Sequence, residues 1–241
     1  HVVRRVDGRV PVVASGTFGG SIQAQADFTH QMADSGVQAV VVITSQLAAA
    51  DESEAVFMAR IEAFLGLTGK VDLGLYECPA PYKRILSAAT YGALGQTGRF
   101  VFHKDTTSDA EAMRQKLIAG QGTRLNLYNA NTPTALPTLR YGAAGVSCIA
   151  ANVYPELLVW LCHNWESQPQ KAERLQRQLT LLDLAVSAKY ATSAKRILQM
   201  RGLSIGLKSR GGTAMLTSED AVQHENVLAV VAELTSLLTQ A

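Results

Sequence analysis

The stretch Arg99-Phe-Val-Phe-His-Lys-Asp-Thr-Thr-Ser-Asp109 combines a short apolar strand, a lysine and a polar turn that can cap a helix. Strand side chains alternate between faces, so Phe100, Phe102 and Lys104 are predicted to share one side. A lysine at the carboxyl end of a buried strand is costly unless the site uses it. Desolvation disfavours the ammonium form and leaves a neutral amine that can attack a carbonyl. The competing reading is a lysine that has just cleared its strand and points into water. Polar residues at other strand ends, Ser15, Thr44, Tyr76, Asn129 and Asn152, supply hydroxyl, phenol and amide groups in the same kind of position.

These residues need elements to position them, and the chain supplies strands and helices in turn. Val10–Ala14 reads as a strand, followed by the glycine-rich turn Ser15–Ser21. Ser21 can cap a helix over Ile22–Ser35, which Gly36 stops. Gln38–Thr44 is a strand apolar on both faces, as buried parallel strands are. Ser53–Leu65 reads as helix, Asp72–Tyr76 as strand and Tyr82–Leu94 as helix after Pro79 and Pro81. The strand at Phe100–His103 precedes a helix over Ala110–Ala119. Then come a strand at Thr123–Leu127, a helix at Ala135–Tyr141 and a strand at Gly145–Ile149. Beyond Pro155 only helices are predicted, at Glu156–Ser167, Gln170–Ala188, Ala191–Arg201 and Ser218–Thr239. Six strand–helix alternations with short connections predict a parallel α/β sheet with right-handed crossovers. An open doubly wound sheet and a closed barrel both satisfy the pattern. The glycines after the first strand lack Gly-x-Gly-x-x-Gly spacing, which argues against a dinucleotide site.

Composition narrows the class. The 241 residues are 47% hydrophobic with a formal net charge of +2. That is enough apolar material for a large core, and too little charge to suggest nucleic acid or an acidic membrane. Cys78, Cys148 and Cys162 are widely spaced and odd in number, so reduced thiols in a cytoplasm are expected rather than disulfides or a zinc framework. No apolar run approaches the roughly 20 residues of a membrane span. From Lys171 to Arg210 nine basic residues face two acids. Leucines alternate with them at helical spacing, so a solvated face or subunit contact is expected. His1–Val6 reads as the tail of a helix, so an amino-terminal segment is expected to precede it. No histidine, cysteine or carboxylate set has metal-ligand spacing, and His103 is expected to face away from Lys104, under a helix.

Three stretches together resemble one family, the dihydrodipicolinate synthases and N-acetylneuraminate lyases. Leu75-Tyr-Glu-Cys-Pro79 resembles the Tyr-x-x-Pro that ends its fifth barrel strand. Phe102-His-Lys-Asp-Thr-Thr-Ser-Asp109 resembles the sixth strand with its Schiff-base lysine. Tyr141-Gly-Ala-Ala-Gly-Val-Ser-Cys-Ile-Ala-Ala-Asn-Val-Tyr-Pro-Glu156 resembles the eighth strand and the loop after it. Gly8–Ala14 and Ala194–Gly202 are similar to the third strand and to the carboxyl-terminal helices. The resemblance implies a (β/α)8 barrel lacking its first two βα units, roughly 60 residues at about 30 each. Residues 1–155 would hold strands three to eight, and 156–241 the last barrel helix and a helical extension, all one structural domain.

The same resemblance implies that Lys104 condenses with the ketone of pyruvate or another 2-oxo acid and that Tyr76 relays a proton. It implies substrate contacts from Ser15, Thr17, Thr44, Asn129, Asn131 and Ile149, an aldehyde as second substrate, and a homodimer or homotetramer. It implies no metal and no cofactor beyond the covalent Schiff base. For Ser15, Thr17 and the asparagines, local satisfaction of loop backbone is an equal alternative. The chain departs from the synthases at Thr44-Ser-Gln-Leu47, where they carry Thr-Pro-Tyr-Tyr. It departs again at Ala80-Pro81, where they carry Gly-Arg with the arginine gripping the second substrate's carboxylate; here Lys83 and Arg84 follow instead. A sugar-acid aldolase or dehydratase using the same lysine, and a non-catalytic barrel, are the competing functions.

Overall fold

The computed structural model describes residues 1–239 as two compact units. Among the described residues, one comprises His1–Tyr128 with Tyr141–Ala144, the other Asn129–Arg140 with residues 145–239.

The first unit begins with α1 (Val2–Val6) and then repeats a strand–helix module. The modules are β1 (Val13–Ser15) with α2 (Ile22–Asp34), β2 (Ala39–Ile43) with α3 (Glu54–Leu67), β3 (Leu73–Tyr76) with α4 (Ala88–Gln96), and β4 (Phe100–Asp105) with α5 (Ala110–Ala119). Each module helix starts on a side chain that accepts from the first turn. Ser21 accepts from the Ala24 N–H, Ser53 from Val56, Ser87 from Thr90, and Asp109 from Glu111 and Ala112. β1 to β4 pair in parallel, and the strand order follows the chain through β5 (Asn126–Asn129) to β6 (Gly145–Val146). The core lies between the strands and their helices. Val40, Val42, Leu73, Leu75 and Phe100 meet Phe57, Phe64 and Leu94 there. Burying each such side chain contributes about 1.5–3 kcal/mol.

The second unit carries α6 (Ala135–Arg140), α7 (Pro155–Asn164), α8 (Pro169–Ser187), α9 (Thr192–Met200) and α10 (Ser218–Thr239). Leu157, Leu161, Leu175, Leu179, Val186 and Ile197 are among the residues of its own core. No helix among the described residues is long and apolar enough to cross a membrane.

Several expected boundaries move for identifiable reasons. β1 starts at Val13, not Val10, because Pro11 has no N–H to give a ladder. α4 starts at Ala88, not Tyr82. The intervening residues are held by their side chains: the Tyr82 hydroxyl donates to the Ala48 carbonyl, and the Arg84 guanidinium to the carbonyls of Ala49 (2.6 Å) and Glu52 (2.8 Å). β5 starts at Asn126 because the Thr123 hydroxyl closes a turn onto the Gly120 carbonyl at 2.7 Å. β6 stops at Val146, and Ile149 opens a 3-10 turn, Ile149–Asn152.

The parity expected along β4 also needs correction. Leu73 pairs with Phe100, but Gly74 pairs with Phe102, so an extra residue enters the β4 side of the ladder. Such a bulge resets the alternation. Phe100 therefore lies in the helix-side core, while Phe102 keeps the face of Lys104 and stacks on Tyr128 with ring centroids 4.9 Å apart. Lys104 is not flanked by two phenylalanines on one face. Gly74 makes this possible, because a Cβ there would meet both Phe102 Cδ1 and Val41 Cγ2 at 3.0 Å.

Candidate active site

Tyr76 ends β3, and the register places it directly opposite Lys104 near the end of β4. Both are half-buried. The Lys104 Nζ lies over the Tyr76 ring, 4.7 Å from its centroid. A cation in that position is attracted to the ring face by about 0.5–1 kcal/mol where partly solvated. An amine and a phenol-bearing ring thus meet at the carboxyl ends of adjacent parallel strands, the edge where the loops of a βα fold gather.

The other residues expected at the site are engaged with the fold itself. Thr44 is fully buried and its hydroxyl donates to the carbonyls of Arg84 (2.9 Å) and Tyr76 (3.3 Å). It therefore anchors the end of β3. Thr17 is fully buried, and its hydroxyl accepts the Ile43 N–H at 2.7 Å. Ser15 is half-buried at the end of β1. Gly16 follows with so little room that a Cβ would fall 2.1 Å from Val40 Cγ1.

In the second unit, Asn129 is fully buried; its amide donates to Thr134 and Thr138, both at 2.9 Å, and its carbonyl accepts the Asn131 N–H. Asn131 in turn caps a 3-10 turn through the Thr134 N–H. These asparagines and threonines thus make hydrogen bonds within the fold, the kind of local bonding open to their short polar side chains. Ile149, no longer a strand end, packs against the helical core.

The loop after β2 is sewn down in the same way. Leu47 is 2% exposed in the first unit's core, and its carbonyl accepts from Arg60 at 3.0 Å. The Gln46 carbonyl accepts from Gln25 at 3.2 Å. Arg84, one of the two cations after Pro81, is occupied by loop carbonyls. Lys83 remains exposed, with its Nζ 2.9 Å from the Thr106 carbonyl.

Behind the Tyr76–Lys104 pair lies a buried charge cluster that the sequence reading missed. His103 and Asp105 flank Lys104 and point to the opposite face, and Glu77 follows Tyr76; all three are fully buried. Their ligand atoms lie within 4.8 Å of one another, a spacing that could hold a metal ion. The space is already served by Lys116 of α5, itself 1% exposed. Its Nζ donates to Glu77 Oε1 and Asp105 Oδ2, both at 2.6 Å, and to Thr107 Oγ1 at 3.1 Å. All three ammonium donors are thereby used. His103 Nε2 is 3.4 Å from Glu77 Oε1, without hydrogen-bond geometry at either ring nitrogen, and its ring packs on Tyr91 with centroids 5.3 Å apart. His103 thus sits under α4 and away from Lys104, as its strand parity indicates. The sequence held little to reveal the cluster, since Glu77, Asp105 and Lys116 come from three separate elements.

Burial pushes the Glu77 carboxyl upward, but the adjacent His103 and the Lys116 ammonium outweigh it and hold it below the usual carboxylate range. A folded-state value below the unfolded one gives stability that is complete above the unfolded value, about 4.3, and is lost as pH falls beneath it. Urea titrations from pH 7 to pH 3 are therefore expected to show a steeper acid loss in the wild type than in Glu77→Gln. Equal acid dependence in the two proteins would contradict this assignment.

A parallel βα sheet with a lysine and a tyrosine meeting at its carboxyl edge is the arrangement of part of a βα barrel. The chain belongs to the dihydrodipicolinate synthetase family, whose model matches residues 1–230. Among curated proteins it is 29% identical over 210 residues to an uncharacterized DapA-like lyase of Halobacterium salinarum, covering 85% of this chain and 66% of that protein. It is 26% identical over 208 residues to the 4-hydroxy-tetrahydrodipicolinate synthase of an Exiguobacterium species, covering 86% and 69%. Among solved structures, the dihydrodipicolinate synthase DapA-2 of Bacillus anthracis superposes with a TM-score of 0.81 at 25% identity, covering 95% of this chain and 77% of that one. The chain spans about two thirds of the length of the curated relatives it matches.

Proposed function

We propose that this chain carries the Schiff-base centre of a pyruvate-dependent class I aldolase or lyase, with Lys104 as the amine and Tyr76 as the proton relay. The observation that carries the reading is the placement of the Lys104 Nζ over the Tyr76 ring at paired positions of β3 and β4, in a chain of this family. The neutral amine adds to C2 of the 2-oxo acid to form a carbinolamine. Protonation of its hydroxyl and loss of water leave a cationic iminium, which withdraws the electron pair of the adjacent bond as that bond breaks or forms. The Tyr76 phenol passes the proton that the departing water requires.

The reading extends to pyruvate or another small 2-oxo acid plus an aldehyde, and not to a particular aldehyde. Arg84 is spent on loop carbonyls and Leu47 is buried, so neither stands where a second carboxylate or a tyrosine relay would need it. The chemistry needs no cofactor besides the covalent adduct. Assembly as a homodimer or homotetramer belongs to the same proposal.

Incubation of the full-length protein with pyruvate and borohydride tests it. The iminium is reduced to a stable secondary amine, so one equivalent of pyruvate-derived mass is expected per chain. Absence of any adduct with pyruvate or other small 2-oxo acids would overturn the proposal in favour of a non-catalytic barrel.

A further inference from the structure

The connections of the buried cluster behind the site converge on the two strands that carry the proposed reacting groups. Alternation along β4 sends His103 and Asp105 to the helix side while Lys104 faces the other way. Whatever fixes Asp105 therefore fixes the backbone from which Lys104 projects. Glu77 does the same for Tyr76 on β3. Its Oε1 accepts the Leu86 N–H at 2.9 Å and its Oε2 the Thr106 N–H at 3.0 Å, while its own carbonyl accepts from the Thr106 hydroxyl at 2.7 Å. The Glu77 N–H donates to the Lys104 carbonyl at 3.3 Å. One ammonium, that of Lys116, holds both carboxylates at 2.6 Å. It ties the ends of two neighbouring strands to a single point on α5.

We infer that Lys116 is a positioning residue which, through Asp105 and Glu77, sets the separation and aim of Lys104 and Tyr76. The inference rests on the Schiff-base reading of Lys104. A buried ion pair is a poor source of net stability compared with apolar packing of the same shape, yet breaking one side of it is strongly destabilising. Such a cluster suits a point where geometry must be held. Displacement of a reacting group by about 1 Å can cost on the order of a hundredfold in rate.

Lys116→Met alone would strand two buried carboxylates and risks unfolding. The informative variant is Asp105→Asn/Lys116→Met. It leaves Glu77 as the remaining charge, and one negative charge is also the sum of Glu77, Asp105 and Lys116 in the wild type. It removes the strut between α5 and β4 while retaining the Leu86 and Thr106 contacts of Glu77. Phe64→Leu, in the same unit's core, serves as a control for lost stability without lost positioning. In full-length protein, with pyruvate and borohydride, the double variant is expected to trap at least about tenfold more slowly at saturating pyruvate, with half-saturation within about threefold of wild type. Phe64→Leu is expected to trap at the wild-type rate. A folded double variant with the wild-type rate overturns the inference and leaves the Lys104 reading intact. Equal slowing in Phe64→Leu also overturns it, by assigning the effect to stability. A wild type that is not trapped at all overturns the underlying reading, and this inference with it.

Discussion

Lys104→Ala is expected to abolish borohydride trapping by pyruvate completely while leaving the fold in place. The substitution removes the nitrogen that the proposal assigns to the iminium, so the adduct should vanish and not merely form more slowly. Among the interactions that truncation releases is the contact between Nζ and the Tyr76 ring, about 0.5–1 kcal/mol. The buried cluster on the other face of the strand is untouched, since Lys116 and not Lys104 supplies its cation. Lys104→Arg is expected to be equally inactive. A guanidinium keeps the charge and can still lie over the ring, but it stays protonated and cannot add to a ketone. Retained circular dichroism with no adduct in both variants is the expected result, and an adduct in either would remove Lys104 from its role.

Tyr76→Phe is expected to slow trapping by about 10²–10⁴-fold, the usual contribution of one general acid–base group. The variant preserves the ring over which Nζ sits and deletes only the hydroxyl, so it separates proton transfer from packing. The pyruvate concentration for half-saturation is expected to change little, because the loss falls on the step that expels water. Tyr76→Leu removes ring and hydroxyl together. If it were no slower than Tyr76→Phe, the ring face would contribute nothing to the reacting amine. A wild-type rate in Tyr76→Phe would leave Tyr76 as packing alone.

How much of this was legible beforehand depends on whether the relevant physics was local. The order of strands and helices was, because Ser21, Ser53, Ser87 and Asp109 announce helix starts and the strands between them are apolar throughout in β2 and apolar at the start in β3 and β4. α5 and α10 begin and end where the sequence pattern places them. The facing-away of His103 follows from alternation alone. The bulge opposite Gly74 was not legible, because one extra residue in a ladder depends on the partner strand and its lack of a Cβ. Thr17, Thr44 and Asn129 have residue types suited to ligand contact, yet their partners lie in backbone or side chains that only the folded chain brings near. Lys116 shows the limit most clearly. On α5 it stands among Arg114, Gln115 and Glu111 and reads as part of a solvated face, yet its ammonium lies buried between two carboxylates from β3 and β4.

The central claim is that one particular lysine forms the covalent link. Lys83, exposed and bonded to the Thr106 carbonyl, and Lys116, buried against Asp105, are alternatives beside the end of β4. Peptide mapping of the borohydride-reduced adduct distinguishes them, because a reduced secondary amine blocks tryptic cleavage at the modified residue and shifts the mass of its peptide. The account predicts the pyruvate-derived mass on the peptide spanning Lys104, with cleavage lost there and retained at Lys83 and Lys116. An adduct on Lys83 or Lys116, with Lys104 unmodified and cleaved, would contradict it.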